Sequence, residues 1–457
     1  MTAGNSDKAR GEFCINAIND FKTSREYREA QAGEAYYNKH NLTIENYQKF
    51  LYTMSGNKVP DLWSANYKLK TLFFRRLVLQ QVQYVLGNGV TLSNPENKEK
   101  LGKDFDFKLQ TVAKRAMASG KAFGFWNNDH LEVFGYADTP AQAGFCPLYD
   151  KETSELRAGI RYWHEVVGDE ITTWCTLYEE DGYTEFSKVG SKGVKALETK
   201  KAYKTVVVST PAGGVAKEMH ENYGKLPIIP LYANDSHESE LIGIRESIDC
   251  YDFIKSGLAN AIDDTAEIYW LIKNCGGMDT TDIAQLLERL RTMHIAAVEA
   301  DDEVTPNTIT VPTEARRLML ELLRKDIYED FQALDVNTLS AAAKTTQEIQ
   351  AAYQSQDNKC ADFEYYVIDF IQKILEIAGI EDNPTFTWNR VINQNEQTQM
   401  VLSASSYLSE EMVIKKLPFL TPEEANEVIE QREKEGYDAF NSQEKEDEEN
   451  PDDEGKE

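Results

Sequence analysis

Asp263, Asp264 and Glu267 are the residues whose types and spacing come nearest to catalysis. Asp263 and Glu267 stand four apart, so a helix sets both on one side, where paired carboxylates hold Mg²⁺. A carboxylate-dependent metal hydrolase would use such a pair to activate water. Further ligands would have to come from other elements, and a solvated helix face explains the same three residues with less. No other constellation competes. The histidines (His40, His130, His164, His220, His237 and His294) are scattered, and no H-E-x-x-H occurs. Neither a Walker A sequence nor G-x-S-x-G is present. Gly87-Asn88-Gly89-Val90 lacks the strand that a phosphate loop needs and reads as a helix stop. The expectation is a non-enzymatic chain with no cofactor and no metal.

The totals bound the alternatives. With 457 residues, 41% hydrophobic and 11% aromatic, the chain has material for two to four domains. No run of 18 apolar residues suggests a membrane span, and Met1–Gly11 is too polar for a secretory leader. The six cysteines never form C-x-x-C, which fits a reducing cytoplasm. Acidic residues number 77 against 49 basic, a formal net charge of −28. Tight nucleic-acid binding needs clustered cations, and no such cluster is expected here. The acidity fits simple solubility, or a surface past which a polyanion slides without sticking.

The elements that position these groups change character along the chain. Residues 1–60 read as helical and polar, and a stronger helix is expected over 66–89, stopped by Gly87 and Gly89. A second helix is expected over 109–120. The period then becomes two, with turns at Asn127-Asn128-Asp129 and Asp181-Gly182, so 120–232 reads as an antiparallel meander. The strand "LPIIPLY" (226–232) closes it, and Pro227 and Pro230 place that strand on an edge or at a bulge. From 238 to 273 one long helix is expected, roughly 50 Å at 1.5 Å per residue. Ile254, Leu258, Ile262 and Tyr269 form its packing stripe, and Leu323 and Ile327 that of a partner helix over 313–334. Between them a small α/β insert, 274–312, carries the acidic loop Asp301-Asp302-Glu303. Residues 335–347 read as a loop, about 346–379 as a long helix, 395–440 as short helices with starts such as Ser409 and Thr421-Pro422, and 441–457 as a disordered acidic tail.

In order and spacing these segments resemble the portal proteins of tailed bacteriophages, of the siphophage type. The resemblance rests on "EAYYNKHN", "NYKLKTLFFRRLVLQQVQYVLGNGV", "ASGKAFGFW", "LPIIPLYAND", "LIGIRESIDCYDFIKSGLANAIDDTAEIYWLIKNCGG" and "VPTEARRLMLELLRKDIYEDFQALD", and covers about 30–435. It implies an α+β portal fold that forms a dodecameric ring at one capsid vertex. Residues 1–29 would be an N-terminal arm, 30–237 with 348–394 a β-rich and helical wing, 238–273 and 313–334 the stem helices. Residues 274–312 would be the clip and 395–440 a helical crown. The loop 335–347 would be the tunnel loop, with Asn337, Thr338, Ser340, Lys344 and Thr345 facing DNA.

Under this resemblance Asp263, Asp264 and Glu267 are possible channel-lining acids, and Asp301, Asp302 and Glu303 a contact for the terminase and adaptor. Its implied partners are further copies of the chain, double-stranded DNA in transit, the terminase large subunit, the major capsid protein, a scaffolding protein and a head–tail adaptor, with no membrane. The implied location is the virion, and the host cytoplasm during assembly. The competing readings are a monomeric adaptor using the 238–334 stalk and the metal hydrolase above.

Overall fold

The computed structural model describes residues 7–52, 56–62, 64–139, 142–208, 217–264, 269–272, 304–307, 312–335, 346–389, 398, 401–417, 420, 424–432 and 434. It is a mixed helix-and-sheet structure of the α+β class. By contacts it divides into one unit of 1–335 with 355–389 and another of 336–354 with 390–457.

The first unit begins with helices α1 (Asp7–Thr23), α2 (Arg25–Tyr37) and α3 (Leu42–Asn46). Ser24 caps α2 by accepting the Tyr27 amide, and Asn41 caps α3 by accepting those of Thr43 and Ile44. A hairpin of β1 (Phe50–Tyr52) and β2 (Lys58–Pro60) follows. The helix expected from residue 66 starts only at Phe73: α4 spans Phe73–Leu86, and 64–72 is not helical. Strand β3 (Val90–Leu92), the short helix α5 (Pro95–Glu99) and α6 (Phe105–Ser119) come next. Gly120 ends α6 with φ +85, a conformation that favours glycine.

The meander is present but is not one sheet. Strands β4 (Lys121–Asn127) and β5 (His130–Phe134) form the expected hairpin, with Asn128 left-handed at φ 57. Strands β6 (Gly144–Tyr149), β7 (Leu156–Val167), β8 (Glu170–Glu179), β9 (Gly182–Val189) and β10 (Lys195–Ala196) make a second sheet in the order β10-β9-β8-β7-β6. A separate ladder joins β11 (Lys204–Val208) to β12 (Lys217–Glu221). The strand around Pro230, β13 (Ile228–Tyr232), closes on β4 and lies at the edge of the sheet β13-β4-β5. That edge tolerates a residue without an N–H.

Two aromatic-rich cores follow from this split. One gathers Phe123, Phe125, Phe134, Tyr136 and Phe145 under α2. The other packs Cys14, Ile15 and Ile18 of α1 on Ile160, Tyr162 and Phe186 of the five-stranded sheet.

The long helices differ from expectation in extent. Helix α7 spans Arg245–Asp264, not 238–273, because Leu241–Ile244 is a turn and Tyr269–Ile272 is a strand, β14. Its partner is β15 (Val304–Asn307), with Tyr269 opposite Asn307 and Ile272 opposite Val304. The chain then enters α8 (Thr313–Phe331) and later α9 (Thr346–Ala378), close to the expected helices. Strand β16 (Pro384–Phe386) returns to pair with β3. In the second unit Ser409 caps α10 (Glu410–Lys415) by accepting the Met412 amide, as its sequence suggests. No helix among the described residues is long and apolar enough to cross a membrane.

Candidate functional site

The element that carries most of the sequence's functional expectations is the α7–α8 pair. The helices run antiparallel: Tyr251 and Tyr328 both meet the edge or face of Phe73, at 4.9 and 6.3 Å. Farther along, the Arg316 guanidinium donates to the Gly257 carbonyl at 3.1 Å. Leu323, Ile327 and Phe331 of α8 are buried, with the Lys359 ammonium 3.6 Å from the Phe331 ring centre. Ile254 sits half-buried beside Ala315 and Met319 at an open apolar groove of about 300 Å³, and Leu258 is half-buried.

Ile262 corrects the expected stripe, for it is 61% exposed. Gly257 already lies opposite Arg316, in the first turn of α8. Tyr269 is corrected too: it belongs to β14 rather than to the packing face of a helix.

The structure reveals a device that periodicity alone did not disclose. Asp252, Ser256 and Asn260 stand four apart on α7, and each accepts a backbone amide from the extended segment beside it. Thr71 donates to Asp252 at 3.0 and 3.2 Å, Leu69 to Ser256 at 3.0 Å and Tyr67 to Asn260 at 2.7 Å. Four helical residues rise about 6 Å and two extended residues about 6.6 Å, so the two repeats stay in step. This also explains why α4 starts late, since the amides of Tyr67, Leu69 and Thr71 are committed to α7. Asn41 adds a bond to Asp252 at 2.9 Å. Burial outweighs these bonds and holds the Asp252 carboxyl above the usual carboxylate range. The clue in the sequence was the polar i, i+4, i+8 stripe, which sequence reading had passed over.

The carboxylates proposed for chemistry do not form a centre in what is described. Asp263 accepts a long bond from the Tyr67 hydroxyl at 3.4 Å. Asp264 closes α7, and Glu267 lies outside the described residues. No group of three or more His, Cys, Asp or Glu among the described residues is arranged to hold a metal. Asp301, Asp302 and Glu303 also lie outside the described residues, as do Asn337, Thr338, Ser340, Lys344 and Thr345. The strand pair β14–β15 brings together the two ends of the insertion that carries the acidic loop.

A pair of helices bracketing an insertion closed by a β-ladder, beside a sheet-rich body, defines a phage portal class of chain when joined to the sequence comparison. Residues 21–439 match the family described as phage portal protein, SPP1 Gp6-like, and the chain belongs to that family. The portal protein of Clostridium phage phiCD119 is 24% identical over 444 residues, covering 91% of this chain and 94% of its own. That of Bacillus phage SPP1 is 25% identical over 410 residues, covering 83% and 79%. Among solved structures, the neck of a native gene-transfer-agent particle aligns with 76% of this chain and 90% of its own. Its TM-score is 0.39 at 11% identity. The neck of the empty particle gives a TM-score of 0.41 at 10% identity, over 75% and 88%.

Proposed function

We propose that this phage portal protein assembles as a dodecameric ring at the unique capsid vertex and conducts double-stranded DNA during packaging and ejection. The observation that carries the reading is the family match over 21–439, within which α7 and α8 bracket an insertion tied at its base. In this reading α7 and α8 form the stem, the insertion between them the clip, 335–347 the tunnel loop and 395–440 the crown. The clip acids Asp301, Asp302 and Glu303 meet the terminase large subunit and later a head–tail adaptor. Major capsid and scaffolding proteins surround the ring. The protein itself is not catalytic, and the packaging ATPase is a separate chain.

Electrostatics support a conduit rather than a binder. Each copy carries a net charge of −28, so a ring repels the phosphate backbone. The repulsion acts over about 8–10 Å at physiological salt, comparable to the clearance around a duplex in a close channel. Asp263 and its neighbours Asp264 and Glu267 are the proposed lumen acids, and Lys344 the proposed cation of the tunnel loop.

Light scattering with negative-stain imaging of one fraction tests the ring. Particles of about twelve chains with a central hole support it. A chain that stays monomeric even with its scaffolding protein overturns it in favour of an adaptor. Deleting 337–345 tests the loop: rings should persist while DNA packaging or retention fails, and loss of rings would refute the assignment.

A further inference from the structure

The acidity of this chain is unevenly spread. Between Asn46 and Pro95 the only acidic residue is Asp61, whereas Lys49, Lys58, Lys68, Lys70, Arg75 and Arg76 are basic. This stretch holds the β1–β2 hairpin, the segment bonded to α7 and the start of α4. Strands β1 and β2 pair with each other and with no third strand among the described residues. Two three-residue strands make a hairpin that is marginal by itself.

Its surroundings leave both charge and apolar surface open. Leu62 is 84% exposed, Tyr67 51% and Phe50 44%. The Lys58 ammonium lies 3.9 Å from the Phe50 ring centre, and the Arg76 guanidinium 5.0 Å from that of Phe73. Arg75 lies 5.5 Å from the Tyr37 ring centre. None of these three cations forms an ion pair among the described residues. In a chain with so many carboxylates, Lys58 rests on the exposed Phe50 ring rather than on an acid, so the hairpin's charge and apolar surface lack a complement among the described residues.

Nucleic acid would satisfy the charges and leave Leu62 and Phe50 in water. A face that is apolar and acidic satisfies both, and this chain carries one at the β7–β8 tip. There Val166 and Ile171 are directly opposed and 74% and 59% exposed. Glu165, Asp169 and Glu170 flank them. Lys192 holds Glu170 at 2.9 Å, but through an exposed pair that contributes little. A ring needs two unlike, complementary faces on every copy.

We propose that the hairpin arm, residues 47–52 and 56–62, seats on the β7–β8 tip of the next copy. Phe50 and Leu62 cover Val166 and Ile171, while Lys58 faces Asp169 and Glu170. Apolar cover supplies the affinity, and the charges fix register between subunits that otherwise repel. This rests on the ring reading and deepens it by naming the two faces that meet.

The test is a charge exchange in the full chain, read by sedimentation and light scattering under conditions in which the wild type forms rings. Lys58→Glu should weaken subunit association by at least about tenfold, as should Asp169→Lys with Glu170→Lys. All three together should restore most of it. Unfolding midpoints of the separated subunits should match the wild type, which excludes misfolding. An arm variant that assembles like the wild type, or a loss that the tip variant does not rescue, overturns the proposal. So does an arm variant that makes normal rings but fails to retain DNA, because the arm would then serve nucleic acid. A wild type that never forms rings removes the ring reading and this contact together, whereas normal wild-type rings with an indifferent arm variant remove this contact alone.

Discussion

The amide of Thr71 donates to both carboxylate oxygens of Asp252, at 3.0 and 3.2 Å, across 181 residues of sequence. Asp252 is inaccessible to solvent, and it also receives the Asn41 amide group at 2.9 Å. Asp252→Ala leaves two donors without their acceptor, the buried Asn41 side chain at about 1–3 kcal/mol and the part-buried Thr71 amide at less. A total loss of about 2–4 kcal/mol in urea unfolding of the monomer is expected. Asp252→Asn keeps an acceptor for Thr71 and should cost clearly less, so equal losses would show that the bond to Thr71 is not what matters.

The helix pair makes a contrast between two isoleucines. Ile327 of α8 is 0% exposed, and Ile327→Ala should cost about 2–5 kcal/mol of monomer stability. Ile262, 61% exposed, should tolerate Ile262→Asp in the monomer, within about 0.5 kcal/mol. If Ile262→Asp unfolds the monomer, the exposure of that side chain on α7 is wrong.

Helix α2 meets α6 at Gly33, where a Cβ would lie 1.7 Å from the Ala118 carbonyl oxygen. Gly33→Ala must push the helices apart, at a cost of about 1–3 kcal/mol or more. A thermal midpoint equal to the wild type would contradict this packing.

Two carboxylates should give stability opposite slopes with pH. Burial raises the Glu34 carboxyl above its usual range, against the opposing Ser119 hydroxyl and Arg115. Its folded value lies above its unfolded one, so stability is highest below the unfolded value and falls as pH rises through the raised one. Glu34→Gln should remove that fall and raise the unfolding midpoint at neutral pH. Asp382 is held low by hydrogen bonds, first from Asn97 and then from backbone amides including Asn94 and Ser93. Its contribution is complete above the unfolded value and is lost as pH falls. Asp382→Asn should therefore flatten the acid limb alone. Urea midpoints across pH separate the two, and a pH profile unchanged in both variants would reject both assignments.

What the sequence determined by itself was local. The turns at Asn127–Asp129 and Asp181-Gly182, the edge position of Pro230, the Ser409 cap and the extent of α9 are all written within a few neighbouring residues. Dihedral preference and side-chain period act over that range, so such features survive any tertiary arrangement. The order of segments also carried the family. Tertiary structure decided the rest. Residues 66–72 have helical periodicity yet stay extended because α7 takes their amides through Asp252, Ser256 and Asn260. The strand of Pro230 closes on β4 rather than on its sequence neighbour, and α7 does not run on to 273 because 269–272 pairs with 304–307. Each outcome depends on a hydrogen-bonding partner far away in sequence, and local periodicity holds no record of that partner.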